Sequence, residues 1–282
     1  MTIAVTGATG QLGRIVIAKL KAKLPAAEIV ALVRDPAKAA DLGVATRAAD
    51  YTKPDQLAAA LKGVDKLLLI SSSEVGQRAP QHQNVIDAAK QAGVKLIAYT
   101  SILHADNSPL GLAVEHRATE AALKASGIAY AILRNGWYSE NYTSAIAGAV
   151  PNGGIVGAAG DGKISAAARE DYAEAAAAVL TGSGHENTIY ELGGDDAFTM
   201  ADLAAEVSKQ TGKSIAYSNM PEAAYADLLK SFGLPEAFAN LLADSDTGAS
   251  KGGLFDGSRT LSKLIGRPTT PLAKTVTAVL RD

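Results

Sequence analysis

Residues 7–13 read Gly7-Ala8-Thr9-Gly10-Gln11-Leu12-Gly13, a G-x-x-G-x-x-G spacing directly behind the apolar run Ile3-Ala4-Val5. Glycines so spaced suit a strand-to-helix turn that binds a dinucleotide. One permits the tight turn, one lets the backbone approach a pyrophosphate, and one lets the helix pack close to the strand. The helix start adds unpaired N–H groups and a positive dipole end, both suited to phosphate. A tight turn without a ligand is the alternative. The strand before, the helix after and a further strand about 20 residues on favour binding. Thr6, Gly7, Ala8, Thr9, Gly10, Gln11, Leu12 and Gly13 are therefore candidate cofactor contacts.

The second apolar run ends Leu32-Val33-Arg34-Asp35. In an NAD site an acidic residue at this strand end accepts from the ribose hydroxyls. Arg34 instead presents a guanidinium, which binds a 2′-phosphate with two parallel hydrogen bonds. The expected cofactor is NADPH, with NADH the weaker ligand; a solvated arginine at a strand end is the other reading. Asp35 is expected to point away and cap a short helix starting at Pro36. Asp50-Tyr51 stands either beside the adenine or in an ordinary loop.

The elements that must position these residues alternate through the first half. β-branched and aliphatic runs occupy 3–5, 29–33, 44–49, 66–70, 95–99 and 129–133, and segments of helical spacing occupy 11–24, 36–42, 54–61, 80–92 and 110–126. Such alternation predicts an α/β fold, a Rossmann-like doubly wound parallel sheet. Pro54 and Pro80 suit first helical turns. Gly63, Gly93 and Gly127 suit helix ends that need positive φ. After residue 135 the rhythm loosens. A turn is expected at Asn152-Gly153-Gly154, helices at 170–180, 199–211 (capped by Thr199), 221–231 and 235–243, and strands at 188–192 and 215–217. Residues 244–257 are polar and glycine-rich and read as a mobile loop, either a lid or a static surface segment. The expected organisation is a dinucleotide-binding domain over 1–135. A smaller α/β substrate-side region over 136–282 packs over the strand ends, not cleanly separable.

The chain has 282 residues, 27 Lys plus Arg, 29 Asp plus Glu and no cysteine. The balance argues against nucleic-acid or membrane-surface binding by bulk charge. Absence of cysteine excludes disulfides and thiol chemistry. The scattered His82, His104, His116 and His185 show no ligand spacing, so no metal site is expected. Met1–Thr6 runs straight into the glycine loop without a signal-peptide pattern, and no apolar run approaches the roughly 20 residues of a span. The expectation is a soluble cytoplasmic protein of open oligomeric state.

Together with Thr6–Gly13, three further stretches carry a family resemblance: Ser71-Ser72-Ser73-Glu74-Val75-Gly76-Gln77-Arg78, Ala98-Tyr99-Thr100-Ser101, and Leu133-Arg134-Asn135-Gly136-Trp137-Tyr138-Ser139-Glu140-Asn141. They resemble the NmrA-like branch of the atypical short-chain dehydrogenases and, within it, the bacterial NAD(P)H:quinone oxidoreductases of type 2. The resemblance extends to the tail Leu264-Ile265-Gly266-Arg267-Pro268. It implies that Ser71, Ser72 and Ser73 border the nicotinamide ribose. It also implies that Asn135, Gly136, Tyr138, Ser139 and Glu140 flank the nicotinamide. Both stretches follow strands, where open parallel sheets place ligands.

One departure shapes the expected chemistry. The wider dehydrogenase superfamily carries Tyr-x-x-x-Lys on the helix after the fifth strand; here Leu112 and His116 stand at those positions. The usual proton relay is missing, which disfavours ordinary alcohol–ketone chemistry. A quinone needs less help, because its reduction restores aromaticity and spreads the charge left on oxygen. Proximity and orientation then supply most of the acceleration. The expected function is NADPH-dependent two-electron reduction of quinones by direct hydride transfer, without flavin. His116 is the candidate to bind the ribose or supply a proton, with a packed helix histidine as the alternative and His104 as a second candidate. Trp137, Tyr138 and Phe255 are the candidate substrate contacts, stacking on a flat ring or merely packing. Another planar acceptor, such as a triphenylmethane dye, would use the same cofactor site. The alternative function is a non-catalytic NADP(H)-binding redox sensor of the NmrA type, acting through a partner protein.

Overall fold

The computed structural model describes residues 1–281. The chain forms two compact units. Unit 1 comprises Met1–Ala105, Val114–Asn135 and Arg169–Tyr190; unit 2 comprises Asp106–Ala113, Gly136–Ala168 and Glu191–Asp282, of which Asp282 lies outside the described residues.

Unit 1 holds β1 (Ile3–Thr6), β2 (Ile29–Val33), β3 (Ala45–Ala48), β4 (Lys66–Leu69), β5 (Leu96–Ile102) and β6 (Ala129–Asn135). With β8 (Thr188–Leu192) they form a seven-stranded sheet in the order β3-β2-β1-β4-β5-β6-β8. The pairs from β3 through β6 are parallel, with Ile3 opposite both Ile29 and Lys66. Order 3-2-1-4-5-6 is the Rossmann arrangement, and its direction reverses between β1 and β4. β1, β2 and β5 are buried at every residue because helices cover both faces. Those helices are α1 (Gln11–Lys21), α2 (Pro54–Ala60), α3 (Arg78–Ala92), α4 (Ala113–Ser126) and α6 (Arg169–Thr181). Gly93 and Gly127 take φ of 73° and 80° after α3 and α4, the left-handed conformation that glycine adopts without strain.

Unit 2 contains α5 (Thr143–Asn152), β7 (Gly154–Gly157), α7 (Met200–Thr211), β9 (Ala216–Asn219), α8 (Glu222–Ser231), α9 (Glu236–Ser250), α10 (Thr260–Ile265) and α11 (Leu272–Arg281). β7 and β9 make a two-stranded parallel sheet. The Thr199 hydroxyl accepts from Asp202 N at 3.1 Å, and the Asp202 carboxylate accepts from Thr199 N at 2.8 Å, a reciprocal cap on α7.

Three expectations need correction. The division is not a single cut after residue 135. The segment with α6 returns to unit 1, where Lys19 bonds Glu170 at 2.7 Å and Lys66 donates to the carbonyls of Leu180 and Gly182. Asp106–Ala113 joins unit 2, where Gly111 N donates to Asp244 at 2.8 Å. Residues 244–257 are not a mobile loop: α9 runs to Ser250, and Asp244, Asp246 and Asp256 each accept from a distant backbone N–H. The segment 36–42 is 3-10 rather than α-helical, capped by Asp35 through Ala37 N at 3.0 Å. Among the described residues no helix is long and apolar enough to cross a membrane.

Candidate functional site

A cleft of about 460 Å³ opens in unit 1 at the carboxyl ends of β1, β2 and β4, lined by Gly7, Thr9, Gly10, Arg34, Ser71–Ser73 and Glu74 among others. This volume lies in the range of small-molecule sites. Gly7 has φ of +57°, and a Cβ on Gly13 would lie 2.7 Å from Ala8 Cα, so both positions require glycine. Gly10 caps α1 without a side-chain hydrogen bond, and the first turn of α1 carries no acidic residue. The first-turn N–H groups are left for an anionic ligand. Arg14, which sequence reasoning passed over, donates from Nε to the Thr9 carbonyl at 3.2 Å and pairs with Asp41 at 2.6 Å, holding the loop from outside.

Thr6, Ala8 and Leu12 are buried and Gln11 is exposed, and none of them lines the cleft. The Thr6 hydroxyl donates to Leu68 O at 3.1 Å and accepts from Ile70 N at 2.9 Å and from the Tyr51 hydroxyl at 2.5 Å. Its work is to tie β1 to the end of β4 beneath the cleft. Ile70 O lies 2.8 Å from the same Tyr51 hydroxyl and competes with Thr6 for its single proton, and burial raises the phenol above its ordinary pKa. Arg34 projects from the rim with 72% of its side chain exposed, paired with Glu74 at 3.1 Å.

The segment after β4 is tied down at its base. Ser72 N donates to His82 Nε2 at 2.9 Å, and Arg78 Nε donates to Ser72 O at 2.6 Å. Glu115 of α4 accepts from Gly76 N at 3.0 Å and Arg78 N at 2.9 Å. Because His82 Nε2 accepts, its proton sits on Nδ1, which bonds Thr119 at 2.9 Å. Burial, reinforced by the Arg78 charge, holds His82 at a pKa of about 4.

His116 is packed within unit 1. It is 5% exposed, with Nδ1 at 2.7 Å from the Tyr99 hydroxyl and Nε2 at 3.4 Å from Arg78. Burial first, then the charge of Arg78, pushes its pKa down to about 3, so the ring is neutral near pH 7. His104 takes φ of 54°, a turn residue after β5.

Asn135 ends β6, and its buried Oδ1 has no hydrogen-bond partner among the described residues. In unit 2, Gly136 N donates to Leu192 O at 2.8 Å, and Tyr138 bridges to Ala167. Ala167 N donates to Trp137 O at 3.2 Å, and Ser139 N donates to Ala167 O at 2.9 Å. Glu140 sits in the 3-10 turn Ser139–Tyr142. Trp137 and Tyr138 are half-buried. Phe255 is 42% exposed with the Lys163 ammonium 5.9 Å from its ring centroid.

Sheet order, glycine turn and a cleft rimmed by the Arg34 guanidinium define a dinucleotide-binding protein of the Rossmann type. The chain belongs to the NmrA-like family, whose model matches residues 1–274. It is 62% identical over 277 residues to quinone oxidoreductase 2 of Escherichia coli (strain K12), covering 97% of each chain. The solved structure of an NADPH-dependent quinone oxidoreductase from Escherichia coli in complex with NADPH superposes with a TM-score of 0.97 at 61% identity, covering 99% of this chain and 100% of that one. Triphenylmethane reductase of Citrobacter sp., solved with NADP(H), superposes with a TM-score of 0.95 at 40% identity, covering 99% and 100%.

Proposed function

We propose that this protein reduces quinones to hydroquinones by two electrons, using NADPH and no flavin. The near-full-length likeness to an NADPH-dependent quinone oxidoreductase carries this reading. The cleft of unit 1 fits the dinucleotide. Gly7, Gly10 and the first turn of α1 receive the pyrophosphate, Arg34 the 2′-phosphate, and Ser71–Ser73 the nicotinamide ribose. When bound, NADPH supplies the hydride. The protein contributes binding and orientation. His82 and Arg78 act as positioning residues, fixing Ser72 through its N–H and carbonyl. Addition of hydride to the quinone leaves a hydroquinone monoanion, and one proton from water completes the product. The delocalised charge makes a strong protein acid unnecessary, in keeping with a neutral His116.

The test is the initial rate of NADPH oxidation with a benzoquinone and no added flavin, with NADH and Arg34→Ala run alongside. Turnover is expected with NADPH. In Arg34→Ala the KM for NADPH should rise about 10- to 100-fold, the value of one lost charge-assisted contact, with kcat little changed. NADPH binding without turnover on any quinone would instead identify a non-catalytic NADP(H) sensor.

A further inference from the structure

The residue that binds the 2′-phosphate in this reading already has a partner. Arg34 Nη1 lies 3.1 Å from Glu74 Oε1. Arg34 follows β2 and Glu74 follows β4, and these strands flank β1. Their ends are therefore about 10 Å apart, two strand spacings. The ion pair spans the carboxyl end of β1, where the glycine loop begins, and both residues line the same cleft as Gly7 and Gly10.

Exposed ion pairs between mobile side chains are usually weak, but Glu74 is not free to wander. Its second oxygen accepts from Gln81 Nε2 at 2.7 Å, and Gln81 is 5% exposed on α3. Its backbone N–H donates to the Ser72 hydroxyl at 3.1 Å. Ser72 is in turn gripped by His82 and Arg78. The carboxylate is thus aimed at Arg34 from a fixed base. Asp50, which also feels the Arg34 charge, directs Oδ1 to Thr52 N and Oγ1 at 2.9 and 2.7 Å.

We propose that Glu74 tunes discrimination between NADPH and NADH by competing with the 2′-phosphate for Arg34. The proposal rests on the reading of Arg34 as the 2′-phosphate ligand. NADPH must displace the carboxylate and then accept a negative charge near its phosphate. NADH carries no 2′-phosphate and leaves the pair in place. Glu74 therefore holds NADPH affinity below what Arg34 alone would give and narrows the preference between the two cofactors.

The experiment is calorimetric titration of NADPH and NADH into the wild type, Glu74→Gln, Arg34→Ala and the double variant. Glu74 is about half exposed, 47%, and glutamine keeps its shape and its Gln81 contact, so the fold is retained. Removing the competing charge should tighten NADPH about three- to fivefold, the upper value of an exposed pair, and leave NADH within about twofold. In the Arg34→Ala background the gain on NADPH should shrink to within about twofold. Unchanged or weaker NADPH binding in Glu74→Gln, with Arg34→Ala still losing NADPH selectively, overturns the proposal and leaves the 2′-phosphate reading standing. If Arg34→Ala leaves the NADPH-to-NADH ratio unchanged, the 2′-phosphate reading falls, and the proposal with it.

Discussion

The two units satisfy their backbones by different means. In unit 1 most strand N–H groups enter parallel ladders, and side-chain acceptors concentrate in the segment after β4. In unit 2 the sheet has two strands, and side chains take over the work. Gly111 N ends on Asp244, Ala158 N on Asp246, Gly193 N on Asp256, Gly160 N on Asn219, and Asp195 and Thr269 bond each other's N–H. A buried N–H without an acceptor costs about 1–3 kcal/mol, so an irregular unit requires such acceptors. Carboxylates in glycine-rich stretches therefore differ in role. Those of unit 2 are framework, whereas Glu74 of unit 1 stands at the rim of the cleft.

Burial favours the neutral form in both units, with opposite consequences for bases and acids. His82 and His116 of unit 1 are held neutral, at pKa values of about 4 and about 3. An unfolded histidine takes its proton near 6.5. Between those values the unfolded state binds more protons. Stability from these bases is therefore complete above about pH 6.5 and is lost as pH falls towards 4 and then 3. Asp246 of unit 2 has the opposite sign. Burial raises its pKa, so lowering the pH through that raised value favours the folded state. The largest expected effect is a loss on the order of 3 kcal/mol from His82 alone between pH 6.5 and 4. Urea midpoints measured across that interval should fall, and His82→Gln should flatten the slope. Equal slopes in the two proteins would break the contrast.

Asp256→Ala should cost about 2–3 kcal/mol, because Gly193 N and Ser258 N lose their acceptor in a residue 9% exposed. The only tryptophan, Trp137, lies in unit 2 and reports its unfolding by fluorescence. A loss below about 0.5 kcal/mol would remove the carboxylates from the framework of that unit. The smallest effect is expected at the helix cap. Thr199→Ala should cost about 1 kcal/mol, read in the same denaturation assay, because the reciprocal bonds with Asp202 disappear. A neutral result there would show that α7 is held by packing alone.

The parts legible in the sequence are those that repeat or that need a particular residue. β8 was expected at 188–192 and stands there, because a β-branched run between turn signals has no better alternative. The glycines at 93 and 127 were expected at helix ends, and their φ values require it. The pair β7–β9 was missed in part: Gly154–Gly157 is too short and too small in side chains to announce a strand, and it exists because β9 pairs with it. α5 and the C-terminal half of α9 were missed for a similar reason. Alanine, glycine and aspartate weigh little in local propensity, and burial of Ile146, Ala149, Gly248 and Ala249 decided these helices.

Residue type alone marked Gly7, Gly10, Gly13 and Arg34 as candidates; of these Gly7, Gly10 and Arg34 line the cleft, and the backbone around Gly7 and Gly13 admits only glycine. Sequence could not tell that His116 is sealed between Tyr99 and Arg78, 17 and 38 residues away along the chain. Nor could it show that Glu74 reaches Arg34 across β1, 40 residues back. Ionisation and ion pairing depend on burial and on neighbours through space. The amino-acid order sets which groups can carry charge, and the packing of the sheet sets which of them do and what they face.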